Sequence, residues 1–236
     1  MVDFSNPRAS FDQELEHLGH MLNELSQEAI GAYEQIKIAL QENKKDVALD
    51  VVRHDDTINE MTEEINDLAI LLIARQTPVA SDLRRVIATL RMSSHLERVA
   101  DYAVNLAEYI LLNEEKDLGT YRDKIIGMID HLVIMVEEVM KSYDLQDAKM
   151  ARNVAEMDRT LDDMYTSSLT ELFEITRSET THVAVLATQT ILILKYLERA
   201  GDHVTNIAEE VAYYVKGKTY EFNKSSVKAR YLKDNQ

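Results

Sequence analysis

One stretch of this chain occurs twice, and that repetition constrains the fold more than any other feature. The first copy is Leu96-Glu97-Arg98-Val99-Ala100-Asp101-Tyr102-Ala103-Val104-Asn105-Leu106-Ala107-Glu108. The second, 101 residues later, is Leu197-Glu198-Arg199-Ala200-Gly201-Asp202-His203-Val204-Thr205-Asn206-Ile207-Ala208-Glu209. Seven of the thirteen positions are identical in register, where chance would give about one, so the chain reads as an internal duplication. Both copies carry apolar residues with a helical period: Leu96, Val99, Ala103, Leu106 and Ile110 form one seam, and Leu197, Ala200, Val204, Ile207 and Val211 its twin.

Residues four apart share a helix face, so Glu97, Asp101 and Asn105 make one polar column and Glu198, Asp202 and Asn206 another. Both columns lie off the apolar seam, and the wheel aims them outward. Carboxylates at this spacing repel by a few tenths of a kcal/mol. A hard cation turns the repulsion into chelation, since carboxylate oxygens suit Mg²⁺, Mn²⁺, Ca²⁺ or iron. Two readings stand at this level: a solvated acidic face, or a cation-binding one that was duplicated with its Asn.

The rest of the chain supplies helices for these columns to sit among. Hydrophobic residues make up 45%, with only 6 Gly and 2 Pro, which favours an all-helical protein. The spacing predicts helices over about 10–41, 46–75, 81–112, 121–143, 146–175 and 181–216, with Ser10 and Ser81 as N-caps, Thr77-Pro78 as a stop and Gly217 as a C-terminal cap. Seam residues include Phe11, Leu15, Leu18, Leu22 and Leu25 in the first helix and Ile125, Met128, Leu132, Met135 and Val139 in the fourth. Most of the ten Met fall on seams as core filler. The apolar-poor run 113–120 divides the halves, so the expected organisation is a three-helix bundle over 8–113, a second over 121–217, and a loosely ordered basic tail over 218–236.

The duplication also reaches the second helix of each half. Asp55-x-x-Ile58-Asn59 is matched by Asp158-x-x-Leu161-Asp162, and Thr57 and Met61 by Thr160 and Met164. If these positions face the columns, each half offers three or four oxygen ligands: Asp55, Asn59, Glu97 and Asp101 in the first, Asp158, Asp162, Glu198 and Asp202 in the second. His54 falls on a seam and reads as a packed core histidine, and His203 as a surface one or a support for Asp202. Arg98 and Arg199 read either as organisers of the columns or as ordinary helix ion pairs.

Composition excludes several function classes. There is no Cys, hence no disulfide, thiolate metal site or cysteine nucleophile. A formal net charge of −16 argues against general nucleic-acid binding and suits cations or basic partner surfaces. The opening residues lack a signal-peptide core, and the longest apolar run, Leu68 to Ala74, is far short of a membrane span, so a soluble cytoplasmic protein without membrane insertion is expected. No phosphate loop or Ser/His/Asp ordering is present. A di-iron carboxylate enzyme would need Glu-x-x-His pairs aimed into a bundle. Glu14-x-x-His17 and Glu179-x-x-His182 have that spacing, but the first pair lies off its seam and the second at a helix start. A metal-free helical scaffold is the other rival.

The twin Leu-Glu-Arg-(Ala/Val)-(Gly/Ala)-Asp-x-x-x-Asn-(Ile/Leu)-Ala motif, with the acidic motif on each second helix, resembles the PhoU family of bacterial phosphate-signalling proteins over about residues 8–217. The resemblance implies two three-helix bundles related by a pseudo-two-fold, and surface metal sites reported with iron, zinc or other divalent ions such as manganese or magnesium. It makes Glu97, Asp101, Glu198 and Asp202 metal ligands, completed by Asp55 with Asn59 and by Asp158 with Asp162. Asn59 departs from the pattern, standing where an acid is usual, so the first site should bind metal less tightly. The resemblance further implies a non-enzymatic repressor of the phosphate-starvation response. Such a regulator links the ATPase of a phosphate ABC transporter to a sensor histidine kinase, with a homodimer as an admissible assembly.

Overall fold

The computed structural model describes residues 7–76, 78–112, 121–176 and 181–222. These form six α-helices: α1 Pro7–Glu42, α2 Lys45–Gln76, α3 Ala80–Leu112, α4 Tyr121–Asp144, α5 Ala148–Thr176 and α6 Thr181–Lys216. α1, α2 and α3 pack on one another, as do α4, α5 and α6; α3 against α6 and α1 against α4 join the two trios. Every seam residue named above in α1 and α4 is buried.

The turns repeat along with the helices. Asn43, with φ 54°, ends α1, and Lys44 N donates back to Ala39 O at 3.1 Å. Gln146, with φ 52°, ends α4, and Asp147 N donates to Ser142 O at 2.9 Å. Both are left-handed caps that satisfy carbonyls the helix end would otherwise leave open. Gln146 is therefore a cap residue and not the start of α5, which begins after Asp147. The Asp147 carboxylate accepts from Lys149 N at 2.8 Å and Met150 N at 3.2 Å, which holds its pKa below the usual range.

The N-caps foreseen at Ser10 and Ser81 are corrected. α1 is already helical at Pro7, whose fixed φ and missing N–H suit a first turn, and α3 begins at Ala80. Gly217 caps α6 as expected, with φ 68° and its N–H on Tyr213 O at 2.8 Å. The tail does not leave the bundle at once. Phe222 N donates to Glu209 at 2.6 Å and its ring packs against the core; the remainder of the tail, like Thr77 and the run 113–120, lies outside the described residues.

α3 and α6 occupy the middle of the molecule, and their buried surfaces are broader than one seam. Met92, Ala100 and Ala107 of α3 are buried alongside Leu96, Val99, Ala103 and Leu106. Polar ties reinforce the packing. Tyr33 donates to Val99 O at 2.8 Å from a fully buried position, Thr89 and Tyr143 share a 2.9 Å hydrogen bond between α3 and α4, and Lys37 reaches Asp130 at 2.6 Å between α1 and α4. An exposed ion pair contributes about 0–1 kcal/mol, whereas truncating a core Leu to Ala costs about 2–5 kcal/mol. Packing dominates.

Candidate metal-binding columns

The fold brings the second and third helices of each half together along the acidic columns. In the first half, Asp55 and Asn59 of α2 stand beside Glu97 and Asp101 of α3. Asn59 Nδ2 donates to Asp55 Oδ2 at 3.3 Å, while Asp55 Oδ1 is buried with no hydrogen-bond donor. Burial and the neighbouring Asp101 raise the Asp55 pKa. Burial likewise raises Glu97, and Asp101, Asp55 and Glu63 add repulsion against the opposing pull of Arg98.

The second half repeats the arrangement. Burial and Glu198 raise the Asp162 pKa; burial, Glu198 and Asp162 raise that of Asp202. Lys195 pairs with Glu198 at 2.5 Å, and Arg98 with Asp101 at 2.7 Å in the first half. Arg98 makes an intrahelical i,i+3 ion pair with a column residue, which fits both readings of it; Arg199 is exposed and acts on Asp202 and His203 through its charge.

The outward aim read from the wheel is corrected. Asp101 keeps 29% and Glu198 15% of its side-chain surface exposed, and Asp158 is buried at 1%. A single-helix wheel knows only its own seam, while α3 and α6 each pack against several neighbours. The columns therefore line the margins between helices. Among the described residues no three His, Asp or Glu side chains converge on a point as a metal cage would require. What the structure presents is opposed carboxylates with raised pKa values and, at Asp55, a buried oxygen lacking a donor. That donor set fits a hard cation, held along an open margin.

Asp158 owes its depth to Gly201. A Cβ placed at Gly201 would lie 2.6 Å from Asp158 Oδ1 and 2.5 Å from Leu161 Cδ2, so a methyl group there would displace two buried side chains of α5 from their present places against α6. The first half has Ala100 at the equivalent place, and Asp55 is only part-buried. Sequence reading missed Glu63 and Glu108, both close enough to the first-half column to act on it. Glu63 continues the Asp55–Asn59 spacing by one more turn, a signal that was available.

The histidines depart from expectation. His54 is 43% exposed and pairs with Glu28 at 2.7 Å, so it is no core residue. His203 is half-buried against His95 of α3, Nδ1 to Nδ1 at 3.1 Å. Burial lowers the pKa of His95 to about 4 and lowers that of His203. Glu14 is part-exposed and His17 exposed, which removes the first Glu-x-x-His pair from any bundle interior; the second lies outside the described residues. A cleft of about 500 Å³ where α1, α3 and α6 meet carries mixed charge, Arg84 and Arg85 against Asp12, Glu16 and Asp82, and touches neither column. Among the described residues no helix is long and apolar enough to cross a membrane.

The PhoU domain model matches residues 22–110 and 125–211. The chain is 32% identical over 218 residues to a Clostridium acetobutylicum protein named as a phosphate-specific transport system accessory protein PhoU homolog, covering 92% of this chain and 99% of that relative. A Thermotoga maritima relative of the same description is 34% identical over 181 residues, 76% of this chain and 78% of its own length. Among solved structures, PhoU from Pseudomonas aeruginosa superposes with a TM-score of 0.83 at 31% identity, covering 88% of this chain and 100% of that one. The phosphate transport system regulatory protein PhoU from Streptococcus pneumoniae gives 0.83 at 26%, covering 89% and 99%.

Proposed function

This chain belongs to the PhoU family, and from that premise we propose that it is an accessory regulator of phosphate transport, acting by docking and without turnover. Its near full-length likeness to relatives that carry that description supports the regulatory role. The finer part of the reading is that hard or borderline cations (iron, zinc, manganese or magnesium) load the acidic columns and set the charge of the docking face. Asp55, Asn59, Glu97 and Asp101 hold metal in one half, and Asp158, Asp162, Glu198 and Asp202 in the other. The bound ion would supply positive charge and rigidity between neighbouring helices.

One observation carries this reading: both margins oppose carboxylates whose ionisation the fold penalises, at Asp55, Glu97, Asp162 and Asp202. Burial is the larger part of that penalty and repulsion between the acids the smaller, and a bound cation would offset both. The basic surfaces it would then face belong to the ATPase of a phosphate ABC transporter and to a sensor histidine kinase; with a formal net charge of −16, such surfaces are the complementary partners.

Deletion should release the phosphate-starvation response in high phosphate, read as phosphate uptake and response-gene output. Wild type should restore repression, and a chain with Glu97→Gln, Asp101→Asn, Glu198→Gln and Asp202→Asn should restore it poorly. Unchanged repression after deletion contradicts the regulatory role, and full rescue by the variant contradicts the role of the columns. A metal-free docking scaffold is the second reading, favoured by the lack of three converged ligands among the described residues. It predicts one melting temperature with EDTA and with Mn²⁺.

A further inference from the structure

We propose that the second acidic margin is a docking surface for the chain's own basic segment 223–236, laid in extended form over Asp202 and Glu198 of α6. The first argument is the path the chain already takes. Gly217, with φ 68°, ends α6, and five residues later Phe222 N donates to the Glu209 carboxylate at 2.6 Å while the Phe222 ring packs against the core. The chain has turned back along the helix it has just left. Glu209 lies three residues beyond Asn206 and seven beyond Asp202, on the helix face that carries the column. The anchor therefore sits on the column's own stripe.

Reach and spacing make the second argument. At about 1.5 Å per helical residue, Asp202 and Glu198 lie about 10 and 16 Å from Glu209 along α6. An extended chain covers those lengths in about three and five residues. That brings Lys224 within a side chain's reach of Asp202, and Lys228 within reach of Glu198. Alternate residues of an extended chain share a side. The side that Phe222 turns to the core is thus continued by Lys224, Lys228 and Arg230.

Charge makes the third. Residues 223–236 carry Lys224, Lys228, Arg230 and Lys233 against Asp234. The margin sets Asp162, Asp163, Glu198, Asp202 and Glu209 against Lys195 and Arg199, and Lys195 is already held by Glu198. The first margin has no such neighbour. Glu108, the counterpart of Glu209, is exposed and adds its charge to Asp55, and the run 113–120 that follows α3 is itself acidic in sequence. The tail is then an internal counter-ion for one margin, and a cation or basic partner surface seeking that margin must displace it.

The inference stands whether or not metal loads the columns, and the test is run in EDTA to keep the two apart. The chain has no Cys, so nitroxide labels can be placed singly or in pairs. One pair joins Ala229→Cys to Thr166→Cys, an exposed position one turn beyond Asp162 on α5; the other joins Ala229→Cys to Glu63→Cys, the exposed first-half counterpart of Thr166. Paramagnetic resonance should find narrow distance distributions at low salt, with the tail label closer to Thr166 than to Glu63. Both should broaden in about 1 M salt, where the Debye length is about 3 Å. They should broaden equally when the chain carries Lys224→Gln, Lys228→Gln, Arg230→Gln and Lys233→Gln. Broad distributions at low salt, a tail label closer to Glu63, or narrow distributions that survive high salt or the four substitutions would overturn the proposal, leaving the second margin to cations or a basic partner.

Discussion

The two acidic margins began as copies and have diverged in what stands behind them. In the second half, Gly201 admits the Asp158 carboxylate against α6 and buries it, and Asp162 adds a further acid. In the first, Ala100 keeps its methyl group, Asp55 stays part-buried, and Asn59 donates to it. The second margin therefore has more charge held closer, and the first has part of its repulsion answered by an amide. A duplicated motif fixes which residues are present. The small residue opposite them decides how deep they sit.

The largest test of this contrast is Gly201→Ala. Its new methyl would overlap Asp158 and Leu161, so a loss of about 1–3 kcal/mol of stability is expected from overpacking, read by urea denaturation. The reciprocal Ala100→Gly should cost only about 0.5–1 kcal/mol through helix propensity. Equal costs would show that the close approach at Gly201 has no energetic weight. Next is Asn59→Asp, which gives the first margin the acid of its twin. Calorimetric titration should then show Mn²⁺ binding there strengthened roughly tenfold, or about 1.4 kcal/mol; an unchanged affinity would remove Asn59 as the cause of any inequality.

The smallest effect is a pH dependence. Asp202 and Asp55 have pKa values raised above those of an unfolded chain, so the folded state keeps their protons where the unfolded state has lost them. Their contribution is most favourable at or below the ordinary carboxylate range and declines as pH rises through each raised value. Metal-free protein should accordingly melt higher as pH falls from neutral toward that range. Asp202→Asn should flatten the slope more than Asp55→Asn, since burial is the larger cause of both shifts and Asp202 is the more deeply buried. Identical slopes would erase the distinction between the margins.

Much of this was legible in the sequence because helical period and duplication are local signals. The buried seams of α1 and α4, the Gly217 cap and the alignment of Asp55 and Asp158 with the columns need only spacing. What escaped depends on neighbours. His54 lies on its helix's seam by count, yet Glu28 of α1 draws it into the half-exposed margin. The columns face outward on one wheel and lie between helices in the bundle, and the His95–His203 contact required knowing that α3 packs on α6. Asn43 and Gln146 take left-handed turns that their side chains only weakly advertise.

The central claim, that the paired columns hold cations, is met most directly by counting Mn²⁺ per chain at equilibrium. The comparison is between the wild type and chains carrying Glu97→Gln with Asp101→Asn, or Glu198→Gln with Asp202→Asn. Each double variant should lose the ions of its own half, with the tighter class disappearing in the second. Undiminished Mn²⁺ in both double variants, or none bound to the wild type, would contradict it.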